Sequence, residues 1–587
     1  MRRDLLVYVV LLILLSLHFS SISPSKGVTT HTYTTLEIVV PGNYSSIQEA
    51  IDNAPEGSTI RVKNGTYNEH LEIAFKSLNI YGSEEAPTIL KNDWTGDAVL
   101  IDRANNVTFS GFQIEGAIGS FGHGIRITQC QHIQIFNNKV VGNEYGIYFW
   151  DSFNVTLRNN NITGNRWNFG IWGLLLTSHF LHDIDTSNIV NERPICYWIN
   201  QKNKTVPSDF GYVALVNSSN IVVSNLNFSN NFQGILVVHS TNITVQNNSF
   251  EKNYYGIHMA DVSNNNIITQ NAFFNNNIGL MLDLSSRNRI EKNVFFKNQK
   301  GLTLSYSPLA PDLSCIENYI CLNNFTQNYA SITVLNATSN KFCGNQIISS
   351  TRYGILLTSG SCGNIFYGNT LLSNNDGLAI QRSNNNLIYN NNFINNTRHI
   401  YTEASTNKWN NTKNIGGNFW SNTTTSDTDL DGISDLPYEV DTLNVDSHPF
   451  AGRFYNYTFF WENQEFFLTL ISNSSDLDFE FVPQQSKAVL NFSGSNQTIG
   501  FCRANLPKKL IQTFWYENLT ILVNKEPPSS IRNWDDNSSV YLYFNVPHPI
   551  SQVLIIPEFS SSLLLVIVLV FVFLFRKTTI TRIIFNR

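Results

Sequence analysis

Glycine returns through this chain at a nearly fixed interval, and that interval dictates the architecture. It opens a unit at 124, 146, 170, 211, 234, 256, 279, 301, 354 and 377, with Ala330 standing in once. Most steps are 22 to 24 residues; the steps of 41 after Gly170 and 29 after Gly301 read as one unit plus an insertion. A period in this range is a solenoid, because one unit cannot bury its own apolar face and a stack of them can. Each glycine starts a short alternating run, GIYFW at 146, GILVV at 234 and GLMLD at 279, which makes a strand with one buried face. Two more short runs complete the unit, the last centred on Phe228, Phe250, Phe273 and Phe295, each six residues before the next glycine. Asn248, Asn271 and Asn293 sit eight before the glycine, and Asn253, Asn276 and Asn298 three before. Asn suits corners because it tolerates left-handed backbone and its amide can bond the backbone or an Asn stacked above. Three short strands with no room for a helix describe one coil of a right-handed parallel β-helix, the hand being the rule for such crossovers.

The flanks are different. Residues 1–25 carry Arg2, Arg3 and an apolar run, the pattern of a signal peptide. Residues 556–577 hold a short apolar run ending at Arg576 and Lys577, which reads as a membrane span with 578–587 left in the cytoplasm. Export would make sequons such as Asn106, Asn161, Asn242 and Asn518 glycan acceptors. The formal charge is −6 and only 14% of residues are charged, which argues against a nucleic-acid partner. Residues 451–550 lose the repeat and show spaced β-runs (YTFFW, FFLTLI, LTILV, VYLYFNV), the pattern of a small antiparallel β-sandwich.

Residues 36–68 read as an N-terminal cap to a solenoid spanning 36–410: IQEAIDNA makes a short helix with Ile47 and Ile51 on one face and Ser45 or Ser46 as its N-cap. This segment resembles the opening of pectin-lyase-like β-helix proteins. The insertion at 179–210, with IDTSNIVNERPICYWINQ and then GYVALVNSSNI, resembles NosD-type β-helix proteins, as does the closing segment 411–450 with GGNFWSNTTTSDTDLDGISDLPYEVDTLNVDSHPF. The IPEF run at 556–559, with the apolar run and basic residues behind it, resembles the PEF-CTERM signals of archaeal surface proteins, which implies recognition by an archaeosortase.

Candidate sites emerge from columns, since equivalent positions in neighbouring coils stack about 4.8 Å apart. With the first and third positions after glycine buried, the second and fourth point outward, and Tyr148, Trp150 and Trp172 form an outward aromatic strip, a platform for sugar rings. The 179–210 insertion either walls a groove there or covers the aromatics. Asp261 and Asp283, near His258 on adjacent coils, are the candidate acid–base pair of a polysaccharide lyase or glycoside hydrolase, although no local motif of such enzymes accompanies them. Asp427, Asp429, Asp431, the Ile433 carbonyl and Asp435 fit the alternating oxygen pattern, with Gly432 at the sharp turn, of a structural Ca²⁺ loop. Copper is disfavoured: soft sites want Cys, Met or His clusters, and the chain has three Met and no C-x-x-C. His179, His182, Asp183 and Asp185 make the one dense N/O cluster. Of seven Cys, Cys315–Cys321 or Cys343–Cys362 are the candidate disulfides. The resemblance implies a carbohydrate ligand, so the favoured function is non-catalytic glycan binding at the cell surface. The alternatives are a lyase or hydrolase, a NosD-type copper accessory protein, and a structural surface-layer protein.

Overall fold

Apolar alternation puts Ile235, Ile257, Leu280 and Leu302 in one column, and parallel pairing stacks them with no residue of slip. All four are fully buried. The glycine beside this column is required by the next coil. A Cβ on Gly256 would lie 2.4 Å from the Gly279 carbonyl oxygen, and one on Gly279 2.6 Å from that of Gly301. The same register corrects one expectation. Leu302 pairs with Ile332, so Ser331 rather than Ala330 faces Gly301.

The computed structural model describes residues 36–558 apart from 93–94, 174–175, 308–309, 311–312 and 517. The signal-peptide segment 1–25, nearly all of 556–577 and the tail 578–587 lie outside the described residues. Among the described residues no helix is long and apolar enough to cross a membrane.

The asparagines divide into two kinds. Those buried at the corners form ladders: the Asn276 amide nitrogen donates to Asn298 Oδ1 at 3.0 Å and to the Phe250 carbonyl at 2.9 Å, while its oxygen accepts from the Asn253 amide N–H at 2.9 Å. The left-handed residue is the one before each ladder position: Asn247, Gln270, Lys292 and Leu322 precede Asn248, Asn271, Asn293 and Asn323, each with φ between 55° and 59°. One Asn cannot do both jobs, because the ladder residue must aim its amide inward along the stack. Inside, Phe228, Phe250, Phe273, Phe295 and Phe325 stack at 4.5–5.2 Å between centroids. Each buried ring contributes roughly 1.5–3 kcal/mol by burial.

The solenoid is not continuous. Strand Ile189–Val190 turns at Asn191 and Glu192, both left-handed, and pairs antiparallel with Arg193–Ile199. The strands of the second stack therefore run antiparallel to those of the first across their shared sixteen-stranded sheet. The residues expected as an insertion at 179–210 are this junction. They hold the last strands of the first solenoid (Asp183–Ile184, Ile189–Val190) and the first of the second (Arg193–Ile199, Lys202–Thr205). The glycine column breaks here: Tyr148 pairs with Gly170, and Val213 with Ile235, which brings Tyr212 rather than Gly211 opposite Gly234. Gly170 serves the junction instead, since a Cβ on it would lie 2.3 Å from Phe232 Cβ of the second solenoid. Gln233 then bonds the Ile171 backbone twice, at 2.7 and 3.3 Å.

Both ends are covered. Helix Ile47–Asn53 is capped by Ser46, whose oxygen accepts from Glu49 N, and buries Ile47, Ala50 and Ile51. At the far end Trp409 and Trp420 close the core, Trp420 lying between Phe393 and Tyr438 at 4.5 and 4.1 Å. Asp446, fully buried, accepts from Trp420 Nε1 at 3.0 Å and Asn418 N at 2.8 Å. The β-sandwich comes next, a five-stranded sheet against a four-stranded one, with helix Lys508–Trp515 in its core and its last strand running to Pro557, past the expected limit at 550. Phe454 and Asn392 exchange two hydrogen bonds of 2.8 Å that pin it to the solenoid.

The disulfide is Cys321–Cys343, not Cys315–Cys321 or Cys343–Cys362. These two cysteines are register partners on neighbouring coils, whereas Cys315 is buried and donates to the Leu282 and Ser305 carbonyls.

Candidate functional site

The two solenoids meet at a corner, and the expected sugar platform lies in it. One wall is the outer face of the first solenoid's strands His123–Thr128, Tyr145–Trp150 and Trp167–Trp172; the other is the glycine-bearing sheet of the second. Phe232, Tyr254 and Tyr255 fold back over the first wall, so the aromatic strip is not continuously open as expected. Tyr148 is covered by Phe232, edge-on at 5.0 Å, and stacks on His123 at 5.1 Å. Burial drives its hydroxyl far above the usual tyrosine range. Trp172 is register partner to Trp150 and stacks on His258 at 5.2 Å, inside the junction. Trp150 stays 40% exposed at the rim, with Phe121 66% exposed. Those two, with Tyr148, His123 and Arg126, bound a cavity of about 170 Å³.

Three aspartate–histidine pairs line this corner, two of them unforeseen. Asp97 lies 2.5 Å from His123 Nδ1 and 2.8 Å from Arg126 Nε, with Asp97 and His123 both buried. Asp151 is 3.5 Å from His179 Nδ1. Asp283 is 3.8 Å from His258 Nε2, and His258 is buried with neither ring nitrogen hydrogen-bonded. Asp261 stands beside this last pair. Burial pushes its carboxyl up to about 6, His258 opposes that rise, and Asp283 adds to it. Asp261 Oδ2 also has no partner. Asp97 and His123 escaped sequence reading because they belong to different coils, 26 residues apart, and no motif spans them.

The other candidates are dispersed. Asp183 and Asp185 both pair with Arg158, at 2.5 and 3.2 Å. His182 is fully buried; its Nε2 meets the His179 carbonyl at 2.9 Å and its Nδ1 accepts from Val155 N, so it is neutral, with its pKa pushed down to about 3 by burial. These residues do not converge on a metal. Copper would also need thiolates, imidazoles or thioethers in a cluster. Cys130, Cys196 and Cys315 are buried thiols pushed up to about 11, 12 and 12. Among the described residues the grouping of three metal-donor side chains is Asp427, Asp429 and Asp431, with ligand atoms within 4.8 Å of one another. That oxygen set suits a hard cation and not copper. Asp435 turns away to accept from the Thr428 amide at 2.7 Å and hydroxyl at 2.8 Å, and the Ile433 N–H donates to Asp431. Gly432 takes φ +79° and leaves room for Arg503, whose Cδ would be 2.9 Å from a Cβ there. Lys413 approaches Asp429 and Asp431 at 3.9 Å.

Residues 51–208, 198–381 and 368–425 match the family described as periplasmic copper-binding protein (NosD). The first two matches meet at the junction of the solenoids. The pectate lyase PEL9 of Emericella nidulans is 29% identical over 110 residues, 19% of this chain and 26% of that protein. The chain thus spans about a quarter of the length of the curated relative it matches. Among solved structures, the surface protein and adhesin PfbA of Streptococcus pneumoniae aligns at 14% identity and TM-score 0.28, over 63% of this chain and all of that one. The periplasmic alginate epimerase AlgG aligns at 11% and 0.27, over 63% and 85%. With most of its length matched, this chain belongs to the NosD family.

Proposed function

We propose that the protein binds a polysaccharide in the corner between its two solenoids. The observation that carries this reading is the cavity rimmed by Trp150 and Phe121 and floored by Tyr148, with the Asp97–His123–Arg126 cluster at its side. Exposed aromatic rings stack on the apolar faces of sugars, and Arg126, held in place by the buried Asp97, lines the cavity as a donor to hydroxyls. At about 170 Å³ the cavity is smaller than a full small-molecule pocket of roughly 300–1,000 Å³. It accepts one ring while the chain continues along the surface. The pectate lyase likeness agrees with this ligand class. The terminal apolar runs make the protein an exported binder tethered to a membrane, and archaeosortase processing of the tail belongs to the same reading. Ca²⁺ on Asp427, Asp429 and Asp431, displacing Lys413, would brace the solenoid end against the sandwich.

The test is a glycan array probed with the full chain and with Trp150→Ala. Specific binding lost in the variant supports the site. Binding unchanged in Trp150→Ala, or no binding at all, refutes it. Trp172→Ala is a poorer control because Trp172 sits within the junction.

A second reading, acid–base processing of the bound chain, has its own observation. Asp261 is a carboxyl raised to about 6 beside His258 and Asp283, the range in which a group both gives and takes protons near neutral pH. Under that reading Asp261→Asn keeps glycan binding and abolishes turnover; turnover that survives the change removes it.

A further inference from the structure

The sandwich leaves a second cavity, of about 690 Å³, between its five-stranded sheet and a different face of the second solenoid. The solenoid wall carries Tyr319, Tyr367 and Tyr389 at outward positions on three coils. Tyr367 and Tyr389 stack at 5.8 Å and 17°. The Cys321–Cys343 bond ties the coil of Tyr319 to the next coil, whose Cys343 is register partner to Tyr367. The sandwich wall is the outer face of strands Arg453–Trp461 and Gln464–Ser472, where Phe460 and Phe467 are 70% and 51% exposed. A solvent face of an antiparallel sheet is ordinarily polar, so these two rings need a reason.

Three polar residues that line the cavity each have a buried atom without a hydrogen-bond partner: Asn390 Oδ1, Asn505 Oδ1 and Arg503 Nη1. Arg503 is 3% exposed, and its other terminal nitrogen is spent on the Asn414 carbonyl. Buried polar groups in native proteins are nearly always paired, so three orphans around one cavity mark it as a place where something binds.

We propose that this cavity is a separate binding site for a neutral oligosaccharide, independent of the junction corner. Its size falls within the roughly 300–1,000 Å³ of small-ligand sites. Stacked tyrosines offer flat apolar faces to successive rings. The orphans are one donor and two acceptors, a set that vicinal hydroxyls match because each both donates and accepts. Charge argues for a neutral chain: Arg289 is paired with Glu291 at 2.7 Å, and Arg503 faces the carboxylates of Asp427, Asp429 and Asp431. The remaining charges, Lys292 and Lys341 against Glu465, leave about one uncompensated cation, too little to gather a polyanion.

The experiment uses the full chain with cellohexaose, mannohexaose and chitohexaose, read by hydroxyl-radical footprinting and calorimetric titration. One of the three is expected to shield Tyr367, Tyr389 and Phe467 from oxidation. Tyr389→Ala and Phe467→Ser are each expected to weaken its binding about 2- to 10-fold. Phe467 is on the surface, so its replacement leaves the fold intact even where the tyrosine change does not. Shielding by none of the three, shielding confined to Phe121 and Trp150, or unchanged affinity in both variants overturns the proposal. Shielding at Phe121 and Trp150 also separates this failure from that of the corner site.

Discussion

Asn275 and Asn276 are adjacent and chemically identical, yet the fold asks opposite things of them. Asn275 is exposed, with φ 54°. Replacing it by Ala costs roughly 1 kcal/mol, because Ala lacks the polar side chain whose local hydrogen bonding lets Asn hold the left-handed region. Asn276 is 2% exposed and stands in the ladder. Its oxygen accepts from Asn253 N at 2.9 Å and Nδ2 at 3.2 Å, and its nitrogen donates to the Phe250 carbonyl at 2.9 Å and Asn298 Oδ1 at 3.0 Å. Asn276→Ala strips all four bonds and orphans the Asn253 amide and the side-chain bond of the Phe250 carbonyl. At about 1–3 kcal/mol for each buried orphan, the cost is roughly 2–6 kcal/mol. Asn276→Asp keeps the acceptor but sets an oxygen against two oxygens. Its carboxyl stays protonated in the fold with a raised pKa, so that variant loses stability as pH rises above the ordinary carboxylate value. A long solenoid need not unfold in two states. The assay is therefore hydrogen exchange of amides in 245–300, with the thermal midpoint alongside. Asn275→Ala destabilising as much as Asn276→Ala would refute the ladder as the source of coil stability.

Gly170→Ala drives a Cβ into Phe232, and overpacking of this kind costs about 1–3 kcal/mol; a red shift of tryptophan emission from an opened junction checks it. His182, held neutral with its pKa near 3 against an ordinary 6.5, makes the fold lose stability as pH falls from 6.5 toward 3, because the unfolded chain binds the extra proton. The loss reaches roughly 4 kcal/mol, and His182→Gln should flatten that slope in pH-resolved urea titrations. Asp261 has the reverse sign: with its folded pKa raised to about 6, its ionisation destabilises the fold as pH rises from 4 through 6. Asp261→Asn should gain roughly 1–2 kcal/mol at pH 8, allowing for partial solvent screening, and nothing at pH 3.5. Reducing Cys321–Cys343, which closes a separation of 22 residues, should cost roughly 3 kcal/mol, read as a lower thermal midpoint with the β-sheet spectrum retained.

Much was legible in the sequence because a solenoid repeats one local rule. Period, alternation and the corner asparagines specify the coil; Ile47, Ile51 and Ser46 specify the cap; the β-runs after 450 specify the sandwich. Each is a matter of residues near one another in the chain or one period apart. The junction was not legible. Gly170 and Gly211 continue the sequence pattern, yet they sit out of register, because a two-residue antiparallel pairing at Ile189–Val190 reverses the strand direction. That reversal decides which outward residues see solvent. It folds Phe232 and Tyr255 over Tyr148 and Trp172, leaves Trp150 at a rim, and gathers Asp97, His123, Asp261 and His258 into one corner. The cavity under the sandwich arises the same way, from two faces each ordinary in sequence and joined only by how the domains dock. Periodic sequence determines what is inside a coil, since burial there depends on neighbours at a fixed interval. What lies between two bodies depends on their mutual placement, which one exchange of register or one docking contact sets and no period encodes.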